Sequence, residues 1–591
     1  MINKEILRRK PLGSEDGGEF LELNEYPEKL KQIYLSRGIS SKSELDYGLK
    51  GLIPPKDLLN VDKASNVIFS AIKENKNILI IGDFDADGAT SSALMIKALT
   101  SMGCGHVNFL VPDRFKFGYG LSVKLVEEAA KEKPDLIVTV DNGIANHQGV
   151  DKANELGIEV IITDHHLAAD TLPNALVIVN PNQPEDDFKS KNLAGVGVAF
   201  YLMLALRSLM REQNWFEQQN IPEPNLAELL DLVALGTVAD VVALDKNNRI
   251  LVEQGLRRIR NGVACFGVNA LLTIAKRSFH KCQASDLGFA VGPRLNAAGR
   301  LQDMSIGINC LLAKDEREAI KIASQLDDLN KQRRNIEQEM LNQANEDLTE
   351  YFAKNKTLSE DEKRPTTLCL YDPNWHQGVI GILASRVKEK INRPVIVFAR
   401  DGDGYSDGYV MIKGSARSVA GVHVRDVLAL VDSRHPLLIE KFGGHAMAAG
   451  LSLQEKDFQL FAEEFHRCTD ELLAGNNISD DILTDAELTN ESMTMNFARQ
   501  LRAAGPWGQG FPEPLFDDEF NVVSYRVVGE KHLKLVLKKG ELLIDGIHFF
   551  FDESLTVKQD DRIHIVYKLD INEYRGNESL QLIIEQISIV T

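Results

Sequence analysis

Acidic and imidazole side chains occur at four places in the N-terminal half of the chain, and three of these places directly follow short apolar runs. The three sequences are GDFDADG at 82–88, DNG at 141–143 and DHH at 164–166, after the runs 78–81, 136–140 and 159–162. A fourth acidic residue, Asp240, ends the sequence LGTVAD. Apolar runs that alternate with helical patterns predict a parallel α/β sheet, and the carboxyl ends of parallel strands meet at one edge. We therefore expect the three loops to converge in one crevice.

Carboxylate oxygens and imidazole nitrogens in one crevice are ligands for Mg²⁺ or Mn²⁺ rather than for a metal that prefers thiolates, and no cysteine lies in these sequences. Two such ions can activate water and stabilise the charge of a phosphoryl group during displacement. The expected metal ligands are Asp85, Asp87, Asp141, His165 and Asp240, with Asp141 as the candidate bridge. Asp83 and His166 are expected to be catalytic, orienting ligands, contacting substrate or assisting proton transfer.

Each of these sequences also has an ordinary structural interpretation. An acidic loop that ends in glycine commonly caps the next helix, Asp-Asn-Gly is a common turn, and a His-His pair is more often structural than metal-binding. The combination favours a metal site, because three of the four sequences lie at predicted strand ends on the same side of one sheet.

The rest of the chain predicts a multidomain α/β protein. Helical patterns dominate 196–312, and 315–354 lacks glycine and proline while its apolar residues recur at helical spacing, which predicts a long connecting helix. Strand-like runs after 485 are typical of a small β-barrel. The predicted domains are an irregular leader with one short helix (1–60), a parallel-sheet domain with helical support (61–312), the connecting helix (313–356), a second α/β domain (357–475) and the barrel (480–591).

Length and composition limit the class of protein. A chain of 591 residues, 44% of them hydrophobic, exceeds what one core usually organises, so three or more domains are expected. The start of the chain lacks an apolar signal segment, and the run 232–244 is too short to cross a bilayer, so we expect a soluble protein. Six cysteines without a CxxC pair fit a reducing cytoplasm. The net charge of −19 does not decide about DNA binding, because it includes carboxylates that would hold cations.

In their order, GDFDADG, VTVDNG, TDHH and LGTVAD resemble the four motifs of the DHH phosphoesterase superfamily. Nearly the whole chain resembles the single-stranded-DNA-specific exonucleases of that superfamily, on sequences such as VPDRFKFGYGLS, LGFAVGPRLNAAGRL, KFGGHAMAAGLSL and AGPWGQGFPEPLF. The resemblance implies a DHH domain, a long helix, a DHHA1 domain and an oligonucleotide-binding (OB) fold. It also implies 5′ to 3′ digestion to 5′-mononucleotides, roles in recombination and mismatch repair, and the partners single-stranded DNA, single-stranded-DNA-binding protein and a RecQ-type helicase.

Arginines beside small residues could hold the DNA strand, because a guanidinium can then approach a phosphate closely and bind it through two hydrogen bonds. Candidate nucleic-acid-binding residues of this kind and their neighbours are Arg294, Asn296, Arg300, His376 and Arg386. The resemblance adds, from the sequences KGSARS and GGHAMAAG, the residues Lys413, Ser415, Arg417, Gly443, Gly444 and His445. Without the resemblance, a tight helix entry at GGHAMAAG and a structural ion pair for Arg417 would be the favoured interpretations.

Four aromatic residues stay outside the predicted site. In an OB barrel, bases can stack on aromatic rings, but core packing is the more common role at alternating strand positions. This leaves two interpretations open for Trp507, Phe549, Phe550 and Tyr567.

Two other functions remain to be distinguished from a DNA exonuclease. A DHH enzyme that acts on small phosphate substrates, such as short oligoribonucleotides, would share every metal ligand but would usually lack the region after 485. A DNA-binding scaffold without catalysis would be expected to have lost some of the ligands, and here all of them are present.

Overall fold

The computed structural model describes residues 5–10, 21–114, 116–118, 120–356, 365–406, 409–474, 478, 481–529, 531–551, 555–574 and 576–590. The chain divides into two compact units, and each contains segments that are distant in sequence. The N-terminal unit comprises 10–330 and 494–514. The C-terminal unit comprises 1–9, 331–493 and 515–591.

The strands and helices have the following bounds. The strands are β1 (Glu5–Arg8), β2 (Ile78–Gly82), β3 (Val107–Leu110), β4 (Leu136–Val140), β5 (Glu159–Thr163), β6 (Val177–Val179), β7 (Leu368–Tyr371), β8 (Val395–Ser406), β9 (Tyr409–Arg417), β10 (Lys441–Gly444), β11 (Ala448–Gln454), β12 (Asp481–Thr484), β13 (Phe516–Val528), β14 (His532–Lys539), β15 (Leu542–Phe549), β16 (Arg562–Tyr574) and β17 (Asn577–Ile589). The helices are α1 (Glu28–Leu35), α2 (Val61–Lys73), α3 (Ala86–Ser101), α4 (Val123–Ala129), α5 (His147–Glu155), α6 (Gly195–Glu212), α7 (Trp215–Gln218), α8 (Leu230–Ala239), α9 (Lys246–Arg260), α10 (Phe266–Ile274), α11 (Ala284–Asp286), α12 (Gly292–Leu301), α13 (Ser305–Leu312), α14 (Glu316–Lys356), α15 (Ile380–Ile391), α16 (Val424–Arg434), α17 (Phe458–Leu473) and α18 (Met495–Ala503).

The N-terminal unit is built on a parallel sheet with strand order β3-β2-β4-β5-β6, which confirms the predicted parallel α/β domain. Every residue of β2 and β4 is buried, as expected for strands with helices on both faces. On one face, side chains of α4 and α5 such as Leu125 and Val150 pack with Leu79, Ile137 and Val160 of the sheet. This topology brings the ends of β2, β4 and β5 to one edge.

Helices α6 to α13 follow the sheet in sequence, as the helical pattern predicted. Helix α8, with the sequence LDLVALGTVA, is apolar on all sides and almost entirely buried, so it runs through the interior of the unit. Asp240, the residue after its last turn, is half-buried where this helix ends.

The predicted connecting helix is α14, which begins in the N-terminal unit and continues in the C-terminal unit. The predicted leader contains the expected short helix, α1, but it is not wholly irregular. Strand β1 pairs in parallel with β12, far along the chain, from Glu5 opposite Asp481 to Arg8 opposite Thr484. A pairing with such a distant partner has no local sequence signal, which is why the prediction was wrong for this segment.

The C-terminal unit contains a mixed sheet, a closed barrel and the β1–β12 pair. The sheet has strand order β10-β11-β9-β8-β7, and residues of α16 and α17, among them Val427 and Phe461, pack with Phe398 and Ile412 in its core. The barrel has strand order β13-β14-β15-β17-β16, which confirms the predicted OB-type fold. None of the described helices combines the length and apolar composition that crossing a bilayer would require.

Three aromatic residues of the barrel, for which two interpretations were open, differ in their burial. Tyr567 is fully buried in the barrel core, where its hydroxyl donates to Oδ2 of Asp518 at 2.6 Å. Phe549 and Phe550 are instead 46% and 72% exposed at the end of β15. Core packing therefore applies to Tyr567 and not to the two phenylalanines.

Candidate metal centre and nucleic-acid-binding residues

The first acidic loop joins β2 to α3. Oδ1 of Asp85 accepts the backbone N–H groups of Asp87 and Gly88 at 2.9 and 3.1 Å, so the helix-cap interpretation applies to this residue. Asp83 is buried, and its Oδ1 has no hydrogen-bond partner among the described residues. A Cβ at position 88 would lie 2.4 Å from the carbonyl oxygen of Asp83, so only glycine lets the loop fold back on the helix.

Helix α12, from the sequence GPRLNAAGR, supports this loop. Oδ1 of Asn296 accepts the N–H of Ala86 at 2.7 Å. A Cβ at Gly299 would lie 1.9 Å from the carbonyl oxygen of Phe84, so the helix and the loop are in direct backbone contact. The structure thus gives Asn296, predicted to bind nucleic acid, a contact that positions the first acidic loop.

Asp141 follows β4 with a φ of 62°, in the left-handed region that side chains other than those of Asn and Asp rarely adopt. Its N–H donates to the carbonyl oxygen of Thr163 at the end of β5, at 3.1 Å. A Cβ at Gly195 would lie 2.5 Å from Cβ of Asp141, so the start of α6 packs directly against this residue. The backbone therefore holds the Asp141 carboxylate in the crevice, where Oδ1 lies 3.1 Å from Nε2 of His165.

Asp164, the first residue of the Asp-His-His sequence, orients the two histidines. Its carboxylate accepts the backbone N–H groups of Ile144, His165 and His166, and also Nδ1 of His166 at 2.7 Å. Burial would raise the pKa of Asp164, but the charge of His166 and these hydrogen bonds hold it at about 2. Burial would likewise lower the pKa of His166, but Asp164 raises it to about 9.

Helices supply the remaining two carboxylates. Asp87 lies in the first turn of α3, and its two oxygens accept the N–H groups of Gly195 and Val196 at 2.6 and 3.0 Å. Asp240 follows α8, and its Oδ2 lies 3.5 Å from Nε2 of His165. Burial, reinforced by neighbouring carboxylates, raises the pKa of Asp87 and the pKa of Asp240 to about 7.

The structure brings together all seven residues predicted as metal ligands or catalytic residues. Their possible ligand atoms form overlapping groups, each with all of its atoms within 4.8 Å of one another: Asp83, Asp85 and Asp141; Asp141, His165 and His166; Asp87, His165 and Asp240. Asp141 and His165 each belong to two groups. The division of these residues into ligands and catalytic residues stays a prediction.

Three buried polar atoms in this crevice have no hydrogen-bond partner among the described residues. Within the described part of the chain, Oδ1 of Asp83, Oδ1 of Asp141 and Nε2 of His165 make no hydrogen bond. Burial, together with neighbouring carboxylates, raises the pKa of Asp83 and the pKa of Asp141 well above the usual carboxyl range. Buried charges that lack an opposite charge are unfavourable, and divalent cations would supply both the charge and the missing partners. The residues present therefore fit Mg²⁺ or Mn²⁺.

Arg114 lies near the crevice and was not among the residues predicted from the sequence. Its guanidinium stands 4.2 Å from the centre of the Phe84 ring. Burial lowers the pKa of Arg114, and the carboxylates of Asp83 and Asp85 act in the opposite direction. The signal that could have found it is an arginine in VPDRFKFGYG directly after a strand of the same sheet.

The two predicted DNA-binding arginines of the N-terminal unit lie on α12. Arg294 forms an ion pair with Asp327, at 2.8 Å between Nη2 and Oδ1, and its Nη1 donates to the carbonyl oxygen of Ala290 at 2.6 Å. Arg300 is half-buried in the last turn of the helix. Their DNA contacts stay predictions, and for Arg294 a structural ion pair is present.

In the C-terminal unit, Ser415 and Arg417 lie side by side on β9. Nη1 of Arg417 donates to Oγ of Ser415 at 3.2 Å and to the carbonyl oxygen of Ala416 at 2.8 Å. A Cβ at Gly381 would lie 2.9 Å from both Nη2 of Arg417 and Oγ of Ser415, so a small residue on α15 makes room for them. Burial lowers the pKa of Arg417, and no carboxylate among the described residues pairs with it. The alternative interpretation, a structural ion pair for Arg417, is therefore not supported.

Three other predicted residues of this unit have protein partners. Lys413 pairs with Asp401 at 2.7 Å. Arg386 pairs with Glu337 at 3.1 Å. Nδ1 of His376 accepts the N–H of the nearby Gly378 at 3.1 Å. Their DNA contacts stay predictions.

The GGHAMAAG sequence forms a β-hairpin and not the helix entry that was its alternative interpretation. Gly443 and Gly444 end β10 and pair with Gly450 and Ala449 of β11. The N–H of His445 closes the turn by donating to the carbonyl oxygen of Ala448 at 2.7 Å. Gly444 has a φ of 138°, and a Cβ there would lie 2.4 Å from the same oxygen, so glycine is required for the turn. The segment contains enough small residues to fit either structure, and only its pairing with β9 through β11 decides between them.

Protein-family sequence models match three segments of the chain. They are the DHH family N-terminal domain at 77–237, the DHHA1 domain at 365–471 and the RecJ OB domain at 484–586. The single-stranded-DNA-specific exonuclease RecJ of Escherichia coli K12 is 52% identical over 571 residues, which cover 95% of this chain and 96% of that protein. This chain belongs to the RecJ family. The Haemophilus influenzae RecJ is 46% identical over 94% of this chain and 96% of its own length.

Solved RecJ structures also match. RecJ from Thermus thermophilus in complex with Mn²⁺ superposes with a TM-score of 0.77 at 29% identity, covering 99% of this chain and 79% of that one. The same RecJ in complex with Mg²⁺ has a TM-score of 0.72 at 27% identity, covering 99% and 78%. The predicted DHH, DHHA1 and OB organisation is thus confirmed for this member of the RecJ family.

Proposed function

We propose that this chain is a metal-dependent exonuclease that digests single-stranded DNA from the 5′ end and releases 5′-mononucleotides. The observation that carries the proposal is the convergence, in a chain of the RecJ family, of seven side chains whose buried atoms include some that make no hydrogen bond within the described residues: Asp83, Asp85, Asp87, Asp141, His165, His166 and Asp240. The 5′ polarity and the product rest on the resemblance to the DHH exonucleases.

Asp85, Asp87, Asp141, His165 and Asp240 would hold two Mg²⁺ or Mn²⁺ ions, with Asp141 shared between them. Asp141, like His165, belongs to two of the ligand groups, and its carboxylate has two oxygens to share between two ions. When bound, the two ions would supply an activated water and stabilise the charge that develops on the scissile phosphate.

The protein groups around these ligands keep them in place and exchange protons. Asp164 accepts Nδ1 of His166, so Nε2 is the ring atom through which His166 would contact substrate. Asp83 would orient ligands from the first loop, beside Asp85. Asn296 and Gly299 hold the backbone of that loop from α12.

Two sets of residues, one in each unit, are proposed to contact phosphates of the DNA strand. In the C-terminal unit, Ser415 and Arg417 offer a hydroxyl and a guanidinium without a carboxylate partner among the described residues, and Lys413, Gly443, Gly444 and His445 lie on the same sheet or its hairpin. In the N-terminal unit, the proposed contacts are Arg294, Asn296 and Arg300. His376 and Arg386 complete the proposed set.

The decisive experiment combines metal dependence with labelled substrates. Metal-free protein is mixed with Mg²⁺ or Mn²⁺ and with single strands labelled at the 5′ or the 3′ end, beside matched duplexes and short oligoribonucleotides. We expect digestion only with metal, immediate release of labelled mononucleotide from the 5′ label, and little digestion of blunt duplex. Preferred hydrolysis of the short oligoribonucleotides would favour the small-substrate alternative, and DNA binding without hydrolysis would favour the scaffold.

We further propose action in the cytoplasm, in recombination and mismatch repair, with single-stranded-DNA-binding protein and a RecQ-type helicase as partners. All six cysteines are free thiols, which is compatible with a reducing compartment. To test the partners, the digestion rate of single strands is measured with and without purified single-stranded-DNA-binding protein. The digestion rate of duplex DNA is measured with and without the purified helicase. Equal rates with and without them would contradict this part of the proposal.

A further inference from the structure

A segment from late in the chain completes the surroundings of the loop that follows Asp240. Residues 504–514, with the sequence AGPWGQGFPEP and here called the strap, belong to the N-terminal unit. The N–H of Leu244 donates to the carbonyl oxygen of Gln509 in the strap at 2.7 Å. The loop 241–244 therefore runs from a proposed metal ligand to a residue that the strap holds.

Glycines allow this close approach. A Cβ at Gly508 would lie 2.7 Å from Cδ1 of Leu244, and a Cβ at Gly510 would lie 3.1 Å from Cβ of Ala243. A larger residue at position 508 would force the Leu244 side chain to move, and one at position 510 would press on Ala243 of the loop. The small residues of WGQGF thus correspond to the places where the strap touches the loop.

Other contacts hold the same loop from α9. Nη1 of Arg249 donates to the carbonyl oxygen of Leu244 at 2.9 Å, while its guanidinium stands 4.5 Å from the centre of the Phe511 ring in the strap. Nδ2 of Asn248 donates to the carbonyl oxygen of Ala243 at 2.9 Å. The backbone polar groups of the loop are therefore engaged from the strap on one side and from α9 on the other.

The leader helix α1 holds the other side of the strap. The ring of Trp507 stacks on Phe511, at 5.0 Å between ring centres, and on Tyr34, at 6.4 Å. The hydroxyl of Tyr34 donates to the carbonyl oxygen of Ala504 at 3.2 Å, and Nε of Arg37 donates to that of Pro512 at 3.1 Å. The strap is thus fixed between α1 and the loop after Asp240.

The loop needs such support because its backbone is strained. Val241 has a φ of 61°, a value that costs free energy for a β-branched residue and persists only where the surrounding structure imposes it. Val241 is itself mostly exposed, so its own side chain contributes little packing. The loop is instead held at its two ends, by the end of α8 before Val241 and by the contacts of Leu244 after it.

We propose that the strap, through Gln509, Gly508 and Phe511, positions Asp240 for metal binding and so makes residues 504–514 a positioning element of the catalytic site. This inference rests on the proposed function, because it requires Asp240 to be a metal ligand. The strap residues touch neither substrate nor reacting atoms in this scheme. They act through the loop 241–244.

The test is a double-mutant cycle between Gly508 and Leu244, read by Mn²⁺ binding to the metal-free chain. Calorimetry or the electron paramagnetic resonance signal of free Mn²⁺ gives the affinity, and kcat and KM on single strands are measured beside it. Gly508→Ala should weaken Mn²⁺ binding by about tenfold or more, the range for residues that orient metal ligands, and should lower kcat with little change in KM. In a Leu244→Ala background, which removes the obstructing methyl groups, Gly508→Ala should have no further effect. Equal effects in both backgrounds, or none in the parent, would overturn the proposal.

Two controls separate positioning from general loss of stability. Ile68→Val shortens a buried side chain of α2 that is remote in sequence from the loop, and it should lower Tm with unchanged Mn²⁺ affinity. If Gly508→Ala fails to fold, Phe511→Leu replaces it, because leucine keeps an apolar side chain but removes the ring beside Arg249. This variant should weaken Mn²⁺ binding in the same way, and unchanged affinity in it would refute the role of the strap.

Asp240→Asn tests the proposed metal site separately from the role of the strap. We expect it to weaken Mn²⁺ binding and to abolish hydrolysis. If it does so while the strap variants behave like the parent, the strap inference fails and the proposed function stands. If Asp240→Asn itself binds Mn²⁺ and digests DNA normally, the proposed metal site fails.

Discussion

Nε2 of His165 lies 3.1 Å from Oδ1 of Asp141, yet neither atom makes a hydrogen bond within the described residues. Two buried polar atoms at this distance without hydrogen-bond geometry indicate a site shaped for a third partner. Both side chains are held by the backbone ends of neighbouring strands, so this proximity follows from the topology of the sheet.

Asp141→Asn should reduce metal-dependent hydrolysis by about a hundredfold or more, because the amide keeps the volume and tolerates the positive φ but loses the charge. In the absence of metal, the same variant should have a higher Tm than the parent, since one carboxylate is removed from a crowded, buried group. Nuclease assays and thermal unfolding with and without Mn²⁺ measure both effects. Asp62→Asn, at an exposed position of α2, is the control and should change neither quantity. Full activity in Asp141→Asn would contradict the proposed site.

Asn296→Ala distinguishes a positioning role for this residue from direct DNA binding. Because Oδ1 of Asn296 accepts the N–H of Ala86 beside the first acidic loop, we expect lower Mn²⁺ affinity and lower kcat, with a smaller change in the Kd for single-stranded DNA. Calorimetry with Mn²⁺ and fluorescence anisotropy with a labelled strand give the two affinities. A weaker DNA affinity with unchanged Mn²⁺ binding would instead support the direct contact.

Arg417→Ala should weaken single-strand binding and make it less sensitive to salt. Each phosphate contact that is lost lowers the slope of log K against log salt concentration by about 0.7 for single strands. Binding is measured over a series of salt concentrations in the absence of divalent metal. Arg434→Ala removes a half-buried arginine of the same unit, which pairs with Glu471, and should leave the slope unchanged. An unaltered slope in Arg417→Ala would count against its contact with phosphate.

Arg8→Ala should make the C-terminal unit more sensitive to acid. Asp517 is buried, which would raise its pKa, but hydrogen bonds from Arg8 and Thr484 and the proximity of His564 hold it below the usual value. A carboxyl whose pKa is lowered in the folded state stabilises the fold above its unfolded pKa, about 3.9, and this stabilisation is lost as pH falls through the folded pKa. Removing Arg8 raises the folded pKa, so the loss begins at higher pH.

The acid unfolding midpoint of Arg8→Ala, followed by circular dichroism, should therefore move to higher pH. Arg562→Ala breaks an exposed pair with Glu519 on the same barrel and serves as the matched control, with little expected shift. Equal midpoints for Arg8→Ala and the parent would contradict the role of Arg8 in holding down the pKa of Asp517.

Local sequence sufficed to predict the acidic crevice because strand order and strand ends leave few alternatives. The runs before Asp83, Asp141 and Asp164 are continuous apolar strands, and parallel pairing then brings their ends together. The role of Asp164 could not be read in this way. No separate role was predicted for it, whereas four hydrogen bonds show that it orients the two histidines.

Contacts between distant segments could not be predicted from the local sequence. The pairing of β1 with β12 and the ion pair of Arg294 with Asp327 depend on the folded arrangement and leave no periodic signal in the sequence. The hairpin at Gly443 was equally undetermined, because small residues suit a helix entry as well as a tight turn. In each case long-range packing selects among conformations that the local sequence permits.

The position of the strap in the sequence has a consequence for synthesis of the protein. Translation produces the acidic strand ends and Asp240 early, but Gln509, which accepts the N–H of Leu244, follows only after α14 and the mixed sheet have been made. A nascent chain that stops before this segment cannot form that bond. On the proposed role of the strap, the metal centre would therefore reach its final arrangement only after most of the polypeptide has been synthesised, which would couple maturation of the enzyme to near-completion of the chain.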